Sequence, residues 1–199
     1  MNLLKHTALA LALGFGVSGF SHAATNLTSA LNVDNLFALY VSTDDSVLGT
    51  FIGDGTNWPT TYTFTTALTN GVDNYIHVVA TDEGGPGAFL GKFTLSNADF
   101  AFANGTQTLL TDTTHWTQRL TGFGGVDITP VSAGSNGVSP WGFRSDVGAG
   151  AEWLSYASGT TTYFTTRITS LAPVPEPGTW ALMISGLGLL GFAARRKTR

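Results

Sequence analysis

The sequence is divided into short apolar runs by turn residues that recur about every 8–12 residues. Leu36–Val41 and Tyr75–Ala80 are such runs, and Thr61–Leu68 alternates threonine with larger apolar residues. Asn70-Gly71 is a turn signal. Between residues 24 and 173 no stretch keeps the 3.6-residue periodicity of a helix, so we predict an all-β fold. Further strands are predicted at Val47–Ile52, Ala88–Leu95, Gln107–Leu110, His115–Leu120, Glu152–Tyr156 and Tyr163–Ile168, and a long loop at Thr129–Gly142.

Composition excludes several classes of protein. The chain has no cysteine, which excludes disulfide scaffolds, cysteine-ligated metal centres and thiol nucleophiles. Residues 24–173 contain 12 acidic and 4 basic side chains, a formal charge of −8. A domain with that charge has no electrostatic reason to bind nucleic acid or anionic lipid. It suits neutral sugars, cations or basic partners.

The N-terminus has the three parts of a secretory signal peptide. Lys5 and the free amine precede Thr7–Phe20, an apolar stretch of 14 residues that is too short for a membrane span. Small residues stand at positions −3 and −1 of a cleavage site between Ala23 and Ala24. We therefore predict that residues 1–23 form a signal peptide helix and that the body is exported across the inner membrane.

The C-terminus predicts a single transmembrane helix at about 179–194. Trp180–Ala194 is 15 residues without charge, which spans roughly 22 Å against a hydrocarbon core of roughly 30 Å. Arg195 and Arg196 begin a basic tail over 195–199, which fits the cytoplasmic side of a membrane. The body then faces outward, and the marginal length suits a temporary anchor.

The segment before this helix carries a resemblance. Val174-Pro175-Glu176-Pro177, an apolar helix and a terminal arginine cluster together resemble the PEP-CTERM sorting signal over residues 173–199. The resemblance implies an exported protein of a Gram-negative bacterium and an exosortase partner, a membrane peptidase that cuts near this motif. The precursor is then anchored in the inner membrane with its domain in the periplasm, and the product reaches the cell surface or the medium. Pro175 and Pro177 keep the segment extended, as a peptidase cleft requires.

A second resemblance rests on segments of the body, which are Asp34–Val41, Trp58 with Tyr62, Gly71–Val78, Ala80–Leu90, Ser139–Gly142, Ala151–Leu154 and Tyr163-Phe164. Together they resemble galactose-binding-like jelly rolls, which implies a jelly-roll β-sandwich over residues 24–172. The sequence departs from the pattern at Ser42-Thr43, where the family has Asn-Gly, and at Arg167, which is displaced from the usual arginine.

The body lacks the patterns of common catalytic sites, so we expect no enzymatic activity. His77 and His115 are its only histidines, and they do not have metal-ligand spacing. No Gly-x-Ser-x-Gly elbow is present. His77 alternates with Ile76 and Val78 and is expected on the opposite face of its strand, exposed or half-buried.

Loop acids leave two alternatives open. Asp44-Asp45, Asp54, Asp82-Glu83 and Asp146 supply the carboxylate oxygens that Ca²⁺ takes from loops, so structural Ca²⁺ is one alternative and solvated turn residues are the other. We expect no cofactor beyond this, and the sequence leaves the metal unknown. A glycosidase needs two opposed carboxylates whose separation the sequence does not give.

Two tryptophans point to carbohydrate. Sugars stack on indole rings and bond to polar loop side chains, whereas buried tryptophans dominate cores, and both interpretations of Trp58 and Trp141 stay open. We expect an exported surface or matrix protein with a non-catalytic carbohydrate-binding module, associated with exopolysaccharide or biofilm. The alternatives are a structural matrix protein without a ligand and, with less support, a secreted glycan-active enzyme. The candidate ligand-binding residues are Asp54, Asn57, Trp58, Asp82, Glu83, Trp141 and Arg144.

Overall fold

The computed structural model describes residues 24–171 and 182–190. The first range forms two antiparallel sheets that pack face to face, which confirms the all-β sandwich. Its strands are β1 (Asn26–Asp34), β2 (Leu36–Ser42), β3 (Thr50–Gly55), β4 (Tyr62–Ala67), β5 (Asn74–Thr81), β6 (Gly87–Leu95), β7 (Phe100–Phe102), β8 (Thr108–Leu110), β9 (Thr117–Arg119), β10 (Val131–Ser135), β11 (Glu152–Tyr156) and β12 (Thr161–Ser170).

Each sheet has six of these strands. Sheet A has the order β10-β11-β6-β1-β4, with β8 paired to β6. Sheet B has the order β3-β2-β5-β12-β7, with β9 paired to β12. Neighbouring strands are antiparallel throughout the described pairings, so successive side chains alternate between the core and the outer face.

The main core lies between the sheets and is rich in aromatic rings. Phe89 of β6 is fully buried at its centre. Its ring lies 5.1 Å from the ring of Trp116 and 5.3 Å from that of Phe164, centroid to centroid. Aromatic pairs at such separations add to the stabilisation that their buried area already provides.

A second hydrophobic cluster covers the outer face of sheet A. Trp141 comes from the loop after β10 and stacks on Trp153 of β11, with ring centroids 5.0 Å apart. Ala88 and Leu90 belong to this cluster, whereas Phe89 between them faces the main core. Strand β6 is therefore buried on both faces.

Every predicted strand has a counterpart, but three observed strands were not predicted. Strand β3 begins three residues later than expected, since Val47 and Leu48 belong to the loop before it. Strand β10 lies inside the predicted loop Thr129–Gly142 and pairs with β11 through a bulge. Strands β1 and β7 are the other two. Strand β1 contains serine and asparagine, whose polar side chains also occur in loops, so its sequence does not distinguish a buried central strand from a loop.

The two ends of the chain are described only in part. A helical segment over 182–190 lies within the predicted transmembrane helix. Among the residues that the structure describes, no helix is long and apolar enough to cross a membrane. The signal peptide, Ala23 and the motif residues Val174, Pro175, Glu176, Pro177, Arg195 and Arg196 lie outside the described residues, and Ala24 opens the described chain as an exposed residue.

Phe89→Ala should destabilise the sandwich by about 3–5 kcal/mol, because it removes a buried ring and leaves a cavity. Guanidinium denaturation of residues 24–171, followed by tryptophan fluorescence, measures this change. Phe51→Ala is the matched control, since Phe51 is 54 % exposed on β3 and should cost less than about 1 kcal/mol. Equal losses in the two variants would contradict the placement of the core.

Candidate functional site

The structure brings two predicted site residues, Trp58 and Arg144, together. Trp58 lies half-buried on the loop between β3 and β4, and the Arg144 guanidinium carbon is 5.4 Å from its ring centroid. Arg144 Nη1 also donates to the Pro59 carbonyl oxygen at 3.0 Å. The guanidinium therefore occupies ring surface on which a sugar would stack. Asp54 at β3 and Asn57 on the loop after it are exposed, and Asn57 Nδ2 donates to Thr60 Oγ1.

Of the two interpretations of Trp141, ligand binding and core packing, the structure supports core packing. Its side chain is 5 % exposed, and its indole Nε1 donates to Asp34 Oδ2 at 2.9 Å. The Tyr156 hydroxyl donates to the Asp34 carbonyl oxygen beside it. Burial raises the pKa of Asp34, although the Trp141 hydrogen bond partly opposes this and the Asp82 charge adds to it. Trp141 thus joins the loop after β10 to the end of β1.

Asp82 and Glu83 hold turns together. Asp82 is buried, and its Oδ2 accepts from the backbone N–H groups of Gly84 at 3.0 Å and Gly159 at 2.7 Å. Glu83 is exposed, and its backbone N–H donates to Asn35 Oδ1 at 2.7 Å. In residues 24–171 and 182–190 no group of three or more His, Asp or Glu side chains is arranged to hold a metal ion. Structural Ca²⁺ therefore stays a prediction.

A polar groove lies on the outer face of sheet B. The register places Tyr75 of β5 opposite Arg167 of β12, and Thr165 of β12 opposite Thr117 of β9. Together with the loops beside them these residues line a cavity of about 450 Å³, which we call the Tyr75 groove. Its lining residues are Asp45, Tyr75, Ala103, Thr114, His115, Thr117, Thr165, Thr166 and Arg167.

An ion pair fixes one wall of the Tyr75 groove. The Arg119 side chain is buried. Its Nη2 donates to Asp45 Oδ2 at 2.5 Å, and its Nε donates to Asp127 Oδ1 at 2.6 Å. Thr165 Oγ1 donates to Asp45 Oδ1 at 2.8 Å. Burial alone would raise the pKa of Asp45, but the hydrogen bonds from Arg119 and Thr165 outweigh it and hold that pKa below its ordinary value. The carboxylate is therefore charged and fully engaged.

His77 supports the same wall from below. His77 is fully buried, so the expectation of an exposed or half-buried histidine is wrong. The Phe123 ring covers the imidazole, with the two ring planes 10° apart and the ring centroids 3.8 Å apart. Its Nδ1 lies 3.3 Å from the Leu48 carbonyl oxygen, and its Nε2 lies 3.5 Å from Asp45 Oδ1. Burial lowers the pKa of His77 more than these two acceptors raise it. A neutral imidazole thus packs two loops against sheet B.

On the opposite wall of the groove, His115 and Arg167 each have an acidic partner. His115 Nδ1 lies 2.8 Å from Asp112 Oδ2, and Thr166 Oγ1 donates to the His115 carbonyl oxygen at 2.8 Å. Arg167 Nε donates to Asp73 Oδ2 at 2.9 Å. The groove thus presents the half-buried Tyr75 ring, threonine hydroxyls and charged groups that already have partners. This chemistry suits a neutral, hydroxyl-rich ligand.

Sequence reasoning missed the Tyr75 groove because its residues come from distant segments. One signal was available, since Tyr75 and His77 alternate with the core residues Ile76 and Val78 along β5. That alternation places both side chains on the outer face. Only the register of β5 against β12 then brings Thr165 and Arg167 beside them.

Comparison with known proteins identifies the C-terminal tail. Residues 173–197 match the family model described as the PEP-CTERM protein-sorting motif. No curated protein and no solved structure matches the chain. The match supports the sequence prediction of an exported protein of a Gram-negative bacterium, anchored in the membrane before an exosortase processes it and sorts it to the cell surface.

The buried His77 predicts a pH dependence of stability. Its pKa is lowered in the folded state, so below about pH 6.5 the unfolded chain takes up a proton that the folded chain does not. The free energy of unfolding of residues 24–171 should therefore fall with falling pH, by at most about 1.4 kcal/mol per pH unit for this one group. Denaturation at pH 7.5, 6.5 and 5.5 measures the slope.

The control for this slope is the second histidine of the body. His77→Gln should remove the contribution of His77 to the pH slope, whatever the substitution costs in stability at neutral pH. His115→Gln should retain that contribution. A slope that survives unchanged in His77→Gln would show that another group causes it.

Proposed function

We propose that the exported sandwich is a non-catalytic module that binds a neutral polysaccharide in the Tyr75 groove. It then acts at the cell surface or in the matrix, in association with exopolysaccharide or biofilm. The observation that carries this proposal is the half-buried Tyr75 ring in a groove that is also lined by the more accessible threonines Thr114 and Thr117. The sorting motif supports the location, since it directs the product to the outside of the cell.

The pairing of charges around the Tyr75 groove favours a neutral ligand. Asp45 is bonded to Arg119, and Arg167 is bonded to Asp73. An anionic ligand would have to compete with Asp73 for the Arg167 guanidinium, and the body as a whole carries a charge of −8. A sugar needs neither charge, because its C–H face packs on an aromatic ring and its hydroxyls bond to hydroxyls and carboxylates.

The same groove favours binding over catalysis. Among its described lining residues Asp45 is the only carboxylate, and glycoside hydrolysis ordinarily uses two opposed ones. We further propose that the sandwich is a galactose-binding-like jelly roll, on the strength of the sequence resemblance. A structural matrix protein without a specific ligand is the second candidate, and it is favoured by the Arg144 guanidinium over Trp58 and by the buried Trp141.

Glycan binding by residues 24–171, tested on a glycan array and on the host's own exopolysaccharide, measures the proposed activity. Tyr75→Ala should weaken binding by about tenfold or more, because it removes the stacking surface. Trp58→Ala is the control at the loop site and should leave binding within about twofold of wild type. Circular dichroism verifies that both variants are folded.

Two outcomes would overturn this assignment. Loss of binding in Trp58→Ala with retention in Tyr75→Ala would move the site to the loop between β3 and β4. No binding by a folded domain, with or without Ca²⁺, would favour the structural matrix protein.

The sorting motif predicts a defined processing defect. Glu176→Ala should leave the uncut precursor in the membrane fraction, because the glutamate belongs to the motif that the exosortase is expected to read. Glu83→Ala makes the same change on an exposed turn of the body and should be processed normally. A fractionation blot separates the two forms, and normal release of Glu176→Ala would rule out this role for the motif.

A further inference from the structure

The edges of the two sheets are not protected equally. An edge strand presents unpaired N–H and C=O groups, and most proteins interrupt such edges with charges, bulges or short strands. Among the described strands, β10 has a bulge between Ser132 and Gly134, and β7 has only three residues. Strand β3 has an irregular register against β2 and carries Asp54. Each of these edges is therefore a poor template for another strand.

Strand β4 has none of these protections. All six of its residues pair with β1 in one continuous register. No charged residue occurs between positions 56 and 72, and no proline lies inside the strand. Thr63, Thr65 and Ala67 are exposed, whereas Tyr62 and Phe64 pack against the main core. The exposed edge is thus regular and uncharged, and threonine on it has a high strand propensity.

The hydrogen-bond pattern shows which backbone groups of β4 point outward. Leu68 N–H donates to the Thr25 carbonyl oxygen at 2.9 Å, so this opposed pair is a hydrogen-bonded one. In an antiparallel pair such positions alternate. Thr66, Phe64 and Tyr62 therefore bond to β1, and the N–H and C=O groups of Ala67, Thr65 and Thr63 point away from it.

We propose that β4 pairs with β4 of a second copy of this chain, antiparallel and about a two-fold axis that passes beside Thr65. Thr65 then lies opposite Thr65, and Thr63 lies opposite Ala67. In this register every outward N–H and C=O of these three residues finds a partner on the other copy. Shifting the register by two residues leaves some of those groups unpaired.

The symmetry of the outward groups favours a second copy at this edge, because those of Thr63 and Ala67 are placed evenly on the two sides of Thr65. Two bodies that each carry −8 repel one another, and the uncharged β4 segment keeps this repulsion small at the contact. A cavity of about 330 Å³ opens beside the same edge, and its mixed lining includes Thr66 and Ala67 of β4, Val47 and Asp44. Val47 is 53 % exposed, so one apolar side chain is accessible beside the outward backbone groups. Threonine opposite threonine is also a favourable cross-strand pair.

Single cysteines test the pairing, because the natural chain has none. In two paired copies of the Thr65→Cys variant, the substituted positions would have Cα atoms about 5.5 Å apart, which a disulfide spans. Ala67→Cys is the matched control. In the proposed register the Cα atoms of residue 67 in the two copies would be about 14 Å apart, which a disulfide cannot span. The full chain, carried on two different tags in the same cells, is oxidised mildly in the membrane fraction and run on a non-reducing gel.

Thr65→Cys should give a covalent dimer that contains both tags, and Ala67→Cys should stay monomeric. A mixture of Thr63→Cys and Ala67→Cys should cross-link although neither does so alone. Equal cross-linking of Thr65→Cys and Ala67→Cys, a monomeric Thr65→Cys, or a cross-link to a different protein would each overturn the proposal.

A lysine variant supplies a second measurement that needs no cross-link. Thr65→Lys places two like charges opposite each other and should reduce co-purification of the two tagged copies by about tenfold or more. Thr108→Lys, on the exposed side of β8, is the control and should retain it. Retention of co-purification in a folded Thr65→Lys variant would contradict the proposed edge.

Discussion

The rest of the structure depends on the burial of strand β6 of sheet A on both of its faces. Trp141 stacks on Trp153 and donates to Asp34, so the loop after β10 is bonded across the outer face of the sheet to the end of β1. This contact covers the outer face of sheet A at β6 and β11. It also turns a tryptophan that the sequence offers as a binding residue into a core residue. The half-buried ring of Tyr75 lies instead on sheet B.

On sheet B the buried guanidinium of Arg119 positions the neighbouring loops in a similar way. A buried ion pair adds little net stability, because desolvation of the charges offsets their attraction. Arg119 of β9 nevertheless joins two loops, since it bonds to Asp45 in the loop before β3 and to Asp127 and the Phe123 carbonyl oxygen in the loop before β10. These bonds fix the two loops that enclose His77. The Arg119 bonds, together with the bond from Thr165 to Asp45, hold this wall of the Tyr75 groove in place.

The sequence predicts those parts of the fold in which each strand shows its own pattern. Strand β4 alternates aromatic residues with threonine over Tyr62–Thr65, and it is predicted close to its observed bounds. Strand β1 is missed, because buried Ser29 and Asn32 have partners only in distant segments. The site is missed for the same reason. Trp58 and Arg144 are both candidates from the sequence, but their mutual contact is not encoded locally.

The scarcity of charge explains how one protein can combine a ligand groove with an unprotected edge. Only 11 % of the residues are charged, and in the Tyr75 groove each charged lining residue bonds to a partner of its own chain. The surface left for partners is therefore made of hydroxyls, amides and rings, both in the groove and along β4. Such a surface offers hydrogen-bonding groups both to a sugar and to another strand, and β4 is an edge that is at once uncharged and regular in its register. The proposed binding outside the cell and the proposed self-association therefore rest on the same composition.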